Sequence, residues 1–181
     1  MKDAEPSALL KESLSYCIDK KTVLDFGAGQ LNDTKYLLGL GFSVTAIDKD
    51  IRVIEESFKL NNDNLTAIQG EFDKIHISEA FFDLVISQWA LSFNKPETFS
   101  KMFSKLLKSL KGGGIFCGQF YGLEDDWAVI RTDMTFFSKP EVESLFKDMQ
   151  IIKLREERSD IKNVDNHMKH WHVFHVIAKK N

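Results

Sequence analysis

The chain has 181 residues, 43% of them hydrophobic and 28% charged, and it carries a formal net charge of −3 at pH 7. This length and composition fit one globular domain with one substantial core. The negative balance gives no electrostatic basis for nucleic-acid binding, and no apolar run approaches the roughly 20 residues of a membrane-spanning helix. The polar N-terminus does not resemble a signal peptide and the 2 cysteines lack a partner motif, so we expect a reduced, cytoplasmic protein. The sequence leaves the oligomeric state open.

Helix and strand patterns alternate along the chain. An amphipathic helix is predicted over residues 7–18, with Ile18 as its last apolar position. Strands are predicted at 23–24, 42–47, 65–69, 82–87, 115–120, 151–154 and 171–178. Because no helix-length segment separates the last two strands, that pair is expected to be antiparallel. The pattern predicts an α/β fold, with a doubly wound, mostly parallel seven-stranded sheet, helices on both faces and an antiparallel C-terminal strand.

The helix boundaries have their own signals. The helix after the first strand is expected to begin at a cap formed by Asn32 or Asp33, with Tyr36, Leu37 and Leu40 on its apolar face. A third helix is expected to be capped by Asp50, with Ile51, Ile54 and Phe58 on its inner face. A fourth is predicted from Pro96 to Leu110, before a glycine turn at 112–114. A fifth begins at the capping box of Ser138 and Glu141.

The first strand leads into a turn that contains two glycines. Asp25 interrupts the apolar run where the strand would leave the sheet, and Gly27 and Gly29 allow the backbone to turn sharply and to approach a ligand closely. Open α/β sheets bind ligands at the carboxyl ends of their strands. The order of strand, acidic residue, glycine turn and helix therefore predicts a nucleotide-binding corner.

Further details narrow the nucleotide. The Gly-Lys-Ser/Thr of a P-loop is missing, and Asn32 stands where the dinucleotide fingerprint needs its third glycine. The Asp25 carboxylate would repel a pyrophosphate but can accept hydrogen bonds from an amine. Asp48 ends the second strand, where an acidic residue binds a ribose diol, and it argues against the 2′-phosphate that neighbouring Lys49 could suggest. These residues predict a ribonucleoside with an amino-acid-like tail and no phosphate, a description that S-adenosylmethionine meets.

Together these motifs resemble those of class I S-adenosylmethionine-dependent methyltransferases, over nearly the whole chain. The resemblance implies one domain over 1–181, with an N-terminal helix in 1–20 and a Rossmann-like core in 21–181. It implies S-adenosylmethionine as cofactor and methyl transfer to a small-molecule acceptor by direct displacement. The implied cofactor-binding residues are Asp25, Phe26, Gly27, Ala28 and Gly29 at the turn, Asp48 and Lys49 after the second strand, Glu71 and Phe72 near adenine, and Ser87, Gln88 and Trp89 near the methionine portion.

The chain departs from the family pattern at two positions. Leu31 stands where the family often has a third alternate glycine, and Glu71 stands where the usual acid is Asp. In its compact size and its C-terminal His-Trp-His-Val strand, the chain resembles the family's small-molecule enzymes of the tellurite-resistance type.

The acceptor side is expected beyond the fifth strand and beside the last one. Candidates by position are Gln119, Tyr121, Trp127, Arg131, His170 and Trp171. We predict that Tyr121 and His170 line the acceptor pocket, because each lies beside an expected sheet edge. No residue has a spacing that identifies it as catalytic. A soft or ionised acceptor needs no general base, whereas a hydroxyl or protonated amine would need one.

Several features admit other interpretations. His167, His170, His172 and His175 could suggest a metal site, but strand alternation puts His170 and His172 on one face and His175 on the other. No cysteine is nearby, and we expect no bound metal.

Two charged segments are also open to more than one interpretation. Residues 124–127 are an acidic rim of the acceptor site or an ordinary surface loop, and residues 155–158 are expected to be the solvated end of a strand. Leu31 and the small N-terminal segment leave open a cofactor-binding regulatory or interaction module without turnover. Asp25 and Asn32 argue against an NAD-linked oxidoreductase.

Overall fold

The computed structural model describes residues 5–17, 19, 21–72, 74–162 and 166–181. Within those residues one sheet contains seven strands, namely β1 (Thr22–Phe26), β2 (Ser43–Asp48), β3 (Leu65–Gln69), β4 (Phe82–Ser87), β5 (Leu110–Tyr121), β6 (Met149–Lys162) and β7 (Met168–Lys180). They lie in the order β3-β2-β1-β4-β5-β7-β6. Neighbours are parallel except that β7 runs antiparallel to both β5 and β6. The predicted sheet and its antiparallel C-terminal strand are confirmed.

One helix precedes β1, and others connect β1 to β2, β2 to β3, β4 to β5 and β5 to β6. They are α1 (Ala8–Ser13), α2 (Asn32–Gly39), α3 (Arg52–Leu60), α4 (Pro96–Ser109) and α5 (Lys139–Leu145), with short 3-10 turns at Leu14–Tyr16, Leu91–Phe93 and Asp126–Val129. Ile18, predicted in the first helix, lies outside the described residues. In the part of the chain that the structure describes, no helix has both the length and the apolar character needed to cross a bilayer.

Successive side chains of each strand point to opposite faces of the sheet, and both faces are covered. On one face, Leu10 of α1 and Leu37 of α2 pack with Leu84 and Ile86 of β4. On the other face, aromatic rings from α4 and β5 form the centre of the core: Phe103 lies 5.6 Å from Phe116 and 5.7 Å from Phe120, measured between ring centroids. The near-continuous apolar sequence of the central strands follows from this burial on both sides.

The structure corrects several local predictions. Leu31, not Asn32 or Asp33, is the N-terminal cap of α2, and Leu40 is 52% exposed. The inner face of α3 is formed by Val53, which packs with Leu31 and Ala46, and by the predicted Ile54, which is partly buried against this cluster. Ile51 and Phe58 are exposed.

The start of β5 and the extent of β6 also differ from the prediction. Leu110 and the glycine run 112–114 belong to β5, which extends the hydrogen-bonded ladder beyond the predicted strand. Residues 155–158 continue inside β6 instead of ending a strand, because each pairs with a residue of β7. The capping box at Ser138 and Glu141 is confirmed.

Candidate active site

The glycine turn after β1 is closely packed against the loop after β4. Gly27 has φ +84°, and a Cβ built on it would lie 2.1 Å from Ala90 Cβ. The amides of Gly27 and Ala28 donate to the Ile47 carbonyl oxygen at 2.8 and 3.0 Å. Only glycine fits the first turn position, for both conformational and steric reasons. The turn therefore lies at the carboxyl ends of β1, β2 and β4, where the sequence predicts it.

Leu31 occupies the position of the third alternate glycine in the conformation a glycine would adopt. Its φ is +62°, in the left-handed region, and its side chain is fully buried with Ala46 and Val53. Left-handed backbone costs roughly 1–2 kcal/mol for a residue with a Cβ, and burial of the leucine side chain offsets this by a similar or larger amount. Leu31 thus combines a left-handed backbone conformation with a core contact.

Asp25 lies at the end of β1 below this turn and is 3% exposed. Its Oδ2 accepts a hydrogen bond from Thr34 Oγ1 at 2.6 Å. Burial raises the pKa of Asp25 to about 7. The hydrogen bond from Thr34 lowers this pKa, and the charges of Asp33 and Asp48 raise it by smaller amounts. A positive charge placed beside it would reverse this effect and ionise the group.

Asp48 holds the turn from β2. Its Oδ2 accepts from the Gly29 amide at 2.8 Å and its Oδ1 from the Asp50 amide at 2.9 Å. Each carboxylate oxygen can accept a second hydrogen bond, so Asp48 retains capacity for a ligand hydroxyl. Lys49 and Glu71, two other residues predicted to bind the cofactor, are both exposed.

Three of the predicted cofactor residues are packed inside the protein. Phe72 is 8% exposed, and its ring centroid lies 4.0 Å from that of Phe26. Ser87 is fully buried and donates from Oγ to the Phe26 carbonyl oxygen at 2.7 Å. Their side chains support the floor of the site.

A cavity of about 410 Å³ opens above the turn. Of the predicted residues it brings together Asp25, Gly27, Ala28, Gly29, Gln88 and Trp89, and it adds Glu5, Ser7, Gln30, Asn32 and Asp33. The N-terminal segment reaches the cavity because the Ser7 amide donates to Asp33 Oδ1 at 2.9 Å. No sequence pattern indicated that contact, since it joins residues far apart in the chain.

Trp89 separates this cavity from a second one. Its φ of +59° is unusual for a bulky residue. Its amide donates to Gln119 Oε1 at 3.1 Å, and Gln119 Nε2 donates to Gln88 Oε1 at 2.7 Å. Gln119 is buried on β5, so a core amide holds the loop in this conformation.

The second cavity, called here the aromatic cleft, has a volume of about 440 Å³. It is lined by Trp89, Tyr121, Glu157, Ser159, Ile161, Trp171, Val173 and His175. The ring centroids of Trp89, Tyr121 and Trp171 lie 5.9 to 6.3 Å apart. Burial raises the pKa of Tyr121 well above its usual range, so its hydroxyl stays protonated and can donate a hydrogen bond.

The structure does not bring His170 to this cleft. Its Nδ1 lies 2.7 Å from Asp160 Oδ1, on the face of β7 opposite to Tyr121. His172 shares that opposite face, with Nε2 3.0 Å from Glu156 Oε1. The prediction that Tyr121 and His170 line one pocket is therefore wrong: the register that pairs Tyr121 with Val173, together with strand alternation, puts His175 on the Tyr121 side.

The acidic loop 124–127 is anchored to β7 and is not an ordinary surface loop. Asp125 is 1% exposed and pairs with Lys169, whose Nζ lies 2.6 Å from its Oδ1. The Lys169 ammonium also lies 3.6 Å from the Trp171 ring centroid and 4.4 Å from that of Trp127. Arg131, another predicted candidate, forms an ion pair with Asp133 at the surface.

The sheet order β3-β2-β1-β4-β5-β7-β6, with acidic and glycine residues at the carboxyl ends of β1 and β2, is the arrangement of the class I S-adenosylmethionine-dependent methyltransferase fold. The family model described as "Tellurite resistance protein TehB" matches residues 11–174. The chain belongs to the TehB family.

Individual relatives agree with this assignment. An uncharacterized methyltransferase of Synechocystis is 29% identical over 131 residues, which cover 62% of this chain and 61% of the relative. The chain spans 20% to 61% of the length of the curated relatives it matches.

Two solved structures share the fold. TehB from Haemophilus influenzae superposes with a TM-score of 0.79 at 18% identity, covering 94% of this chain and 62% of that one. A Burkholderia thailandensis 1,6-didemethyltoxoflavin-N1-methyltransferase with bound 1,6-didemethyltoxoflavin and S-adenosylhomocysteine superposes with a TM-score of 0.69 at 17% identity, covering 96% and 79%.

Proposed function

We propose that the protein binds S-adenosylmethionine in the cavity above the glycine turn and transfers its methyl group to a small molecule in the aromatic cleft. The observation that supports this most directly is that Trp89 lines both cavities, so donor and acceptor would meet at one side chain. The Burkholderia thailandensis enzyme of similar fold binds 1,6-didemethyltoxoflavin together with S-adenosylhomocysteine.

The residues present fit this cofactor. Its ammonium and sulfonium groups are positive, and the cavity is lined by the carboxylates of Glu5, Asp25 and Asp33. The same carboxylates would repel a diphosphate. The Gly27 Cα approaches Ala90 so closely that no side chain could fill the turn. In this proposal Asp25 binds the ammonium group and Asp48 accepts from the ribose diol.

Other residues would complete the cofactor site. Glu71 lies after β3, exposed, where the adenine amine would be reached. Gln88 and Trp89 border the methionine portion, and the buried Phe26, Phe72 and Ser87 support the site from below. Lys49 does not line the cavity and would lie at its outer margin.

The protein's contribution to the reaction is positional. The bound cofactor supplies a methyl group already activated by the sulfonium charge. The Gln88–Gln119–Trp89 hydrogen bonds fix the wall between the two cavities. Tyr121 and Trp171 hold the acceptor against that wall and exclude water from it. Such alignment at near-contact distance provides a large share of the rate gain in direct displacement.

Calorimetric titration of the full chain with S-adenosylmethionine tests the binding step. Asp48→Ala should weaken binding by about 10- to 100-fold, because it removes hydrogen bonds to a charged group. Asp50→Asn is the matched control, since Asp50 pairs with Arg52 at the surface of the same loop. Unchanged affinity in Asp48→Ala would overturn the ribose assignment.

A screen of acceptors for S-adenosylhomocysteine production tests turnover. Production with at least one small molecule is the expected result. Tight cofactor binding without production by any acceptor would instead identify a regulatory or interaction module.

A further inference from the structure

One side chain on the wall of the aromatic cleft, His175, has a ring nitrogen without a hydrogen bond to the described residues. His175 is 6% exposed, and its Nε2 is a buried atom without a hydrogen bond to any described residue. Glu157 Oε2 lies 3.3 Å away, but not in hydrogen-bonding geometry. Buried polar atoms are almost always paired, so an unpaired ring nitrogen on a residue that lines a cavity indicates a place for a ligand atom.

The charged groups around this imidazole are neutralised by one another. On β6, Arg155 pairs with Glu157 at 3.0 Å, and Lys153 pairs with Glu12 of α1. On β5, the neighbours are the protonated Tyr121 and the neutral Gln119, which lies opposite His175 in the ladder. On β7, Lys169 is held by Asp125. Burial, followed by the charge of Arg155, lowers the pKa of His175, so the imidazole is neutral at pH 7.

The remaining walls of the cleft are apolar and flat. Trp89, Tyr121 and Trp171 present rings, and Val173 and Ile161 add aliphatic surface. Aromatic faces favour flat, polarisable ligands by stacking and edge contacts. The Glu157 carboxylate at the margin, 41% exposed in its side chain, disfavours an anionic ligand.

We propose that the aromatic cleft takes a flat, uncharged aromatic acceptor, and that His175 Nε2 receives the proton of its reacting hydroxyl or ring N–H group. This inference rests on the proposed methyl transfer and specifies its acceptor. The acceptor oxygen or nitrogen forms the new bond to the methyl carbon, and the carbon–sulfur bond breaks with its electron pair left on sulfur. The acceptor proton moves to Nε2 and then to solvent.

The test uses the full chain, saturating S-adenosylmethionine and four probes: phenol, indole, benzoate and thiophenol. Phenol and indole are neutral and carry a proton that must leave. Benzoate is an anion of similar size. Thiophenol is ionised without assistance and so needs no base. We expect methylation of phenol or indole, no methylation of benzoate, and a pH profile for the neutral probes that falls at low pH as His175 becomes protonated.

Variants separate a chemical role from a structural one. His175→Gln should lower kcat/KM for the neutral probe by about 10²–10⁴-fold, the usual contribution of a general base, while thiophenol methylation and cofactor affinity stay unchanged. His175→Asn provides a second variant if the first folds poorly. His76→Gln, an exposed histidine, and Glu156→Gln, whose side chain lies on the opposite face of β6, are the controls.

The outcomes are distinguishable from failure of the proposed function. Methylation of thiophenol with none of phenol or indole would overturn the acceptor class while leaving methyl transfer intact. Equal loss with thiophenol and with the neutral probe would show that His175 is structural and would overturn its role as proton acceptor. Absence of cofactor binding would refute the proposed function itself.

Discussion

The raised pKa of Asp25 gives a quantitative prediction for stability. In the folded protein, burial raises this pKa from 3.8 to about 7. Between these two values the unfolded chain has lost the proton while the folded chain keeps it, so the free energy of unfolding falls as pH rises through this window. Asp25→Asn removes the ionisation but keeps an oxygen that can accept from Thr34. The variant should therefore gain stability relative to the wild type as pH increases.

The size of the effect follows from the shift. A change from 3.8 to about 7 corresponds to about 4 kcal/mol in total, of which about 3 kcal/mol falls between pH 5 and pH 8.5. Urea unfolding of both proteins at these two pH values measures it directly. All other titrating groups are shared, so they cancel in the difference. A difference in stability between the two proteins that does not vary with pH would refute the reasoning.

The same group connects stability to ligand binding. A cationic ligand beside Asp25 should lower its pKa, so binding at pH 7 should release about half a proton per site. Calorimetry in buffers of different ionisation enthalpy measures this release, and Asp25→Asn should abolish it. The variant should be more stable at pH 8.5 yet bind S-adenosylmethionine more weakly.

Three further predictions concern packing. Gly27→Ala should cost about 1–3 kcal/mol more in urea unfolding than Gly29→Ala, because both have positive φ but only the first would place a Cβ 2.1 Å from Ala90; equal losses would contradict this. Leu31→Gly relieves a φ of +62° but removes a fully buried side chain, so we expect a net loss of about 2 kcal/mol, and a gain in stability would show the strain to be larger. Lys169→Met should lower the free energy of unfolding by about 3–5 kcal/mol, because it leaves Asp125 buried and unpaired. Adding Asp125→Asn should recover most of this loss. If Lys169→Met alone unfolds like the wild type, the pair does not have this role.

The fold could be predicted because its signals are local. β1 and β2 are each followed by a glycine or acidic turn and a helix, and the gap between β6 and β7 is too short for a helical crossover. The extent of β6 could not be predicted in this way. Its charged residues from Arg155 onward resemble a solvated end, but as an edge strand β6 can direct charged side chains outward while its backbone stays paired.

The position of Asp25, Gly27, Gly29 and Asp48 at strand ends was predictable for the same reason, since they lie in two short segments. The proposed acceptor side depends on which face of β7 lies on the same side of the sheet as Trp89, which follows β4. Alternation separates His170 from His175, but the choice between them requires the register in which Gln119 pairs with His175 and Tyr121 with Val173. That register is a tertiary contact between strands, and no local pattern encodes it.

The two cavities on either side of Trp89 differ in the charged groups around them. On the cofactor side Asp25 would face the positive charges of the donor, and one of these disappears when the methyl group leaves. The attraction between the cavity and the demethylated product is then weaker, so Asp25 regains its proton more readily and product release is favoured. Around the proposed acceptor cleft, Arg155 is paired with Glu157 and Lys169 with Asp125, so an uncharged acceptor would enter and leave without breaking these ion pairs. Proton release on binding should accordingly be larger for S-adenosylmethionine than for S-adenosylhomocysteine, and equal values would mean that Asp25 responds to the ammonium group alone.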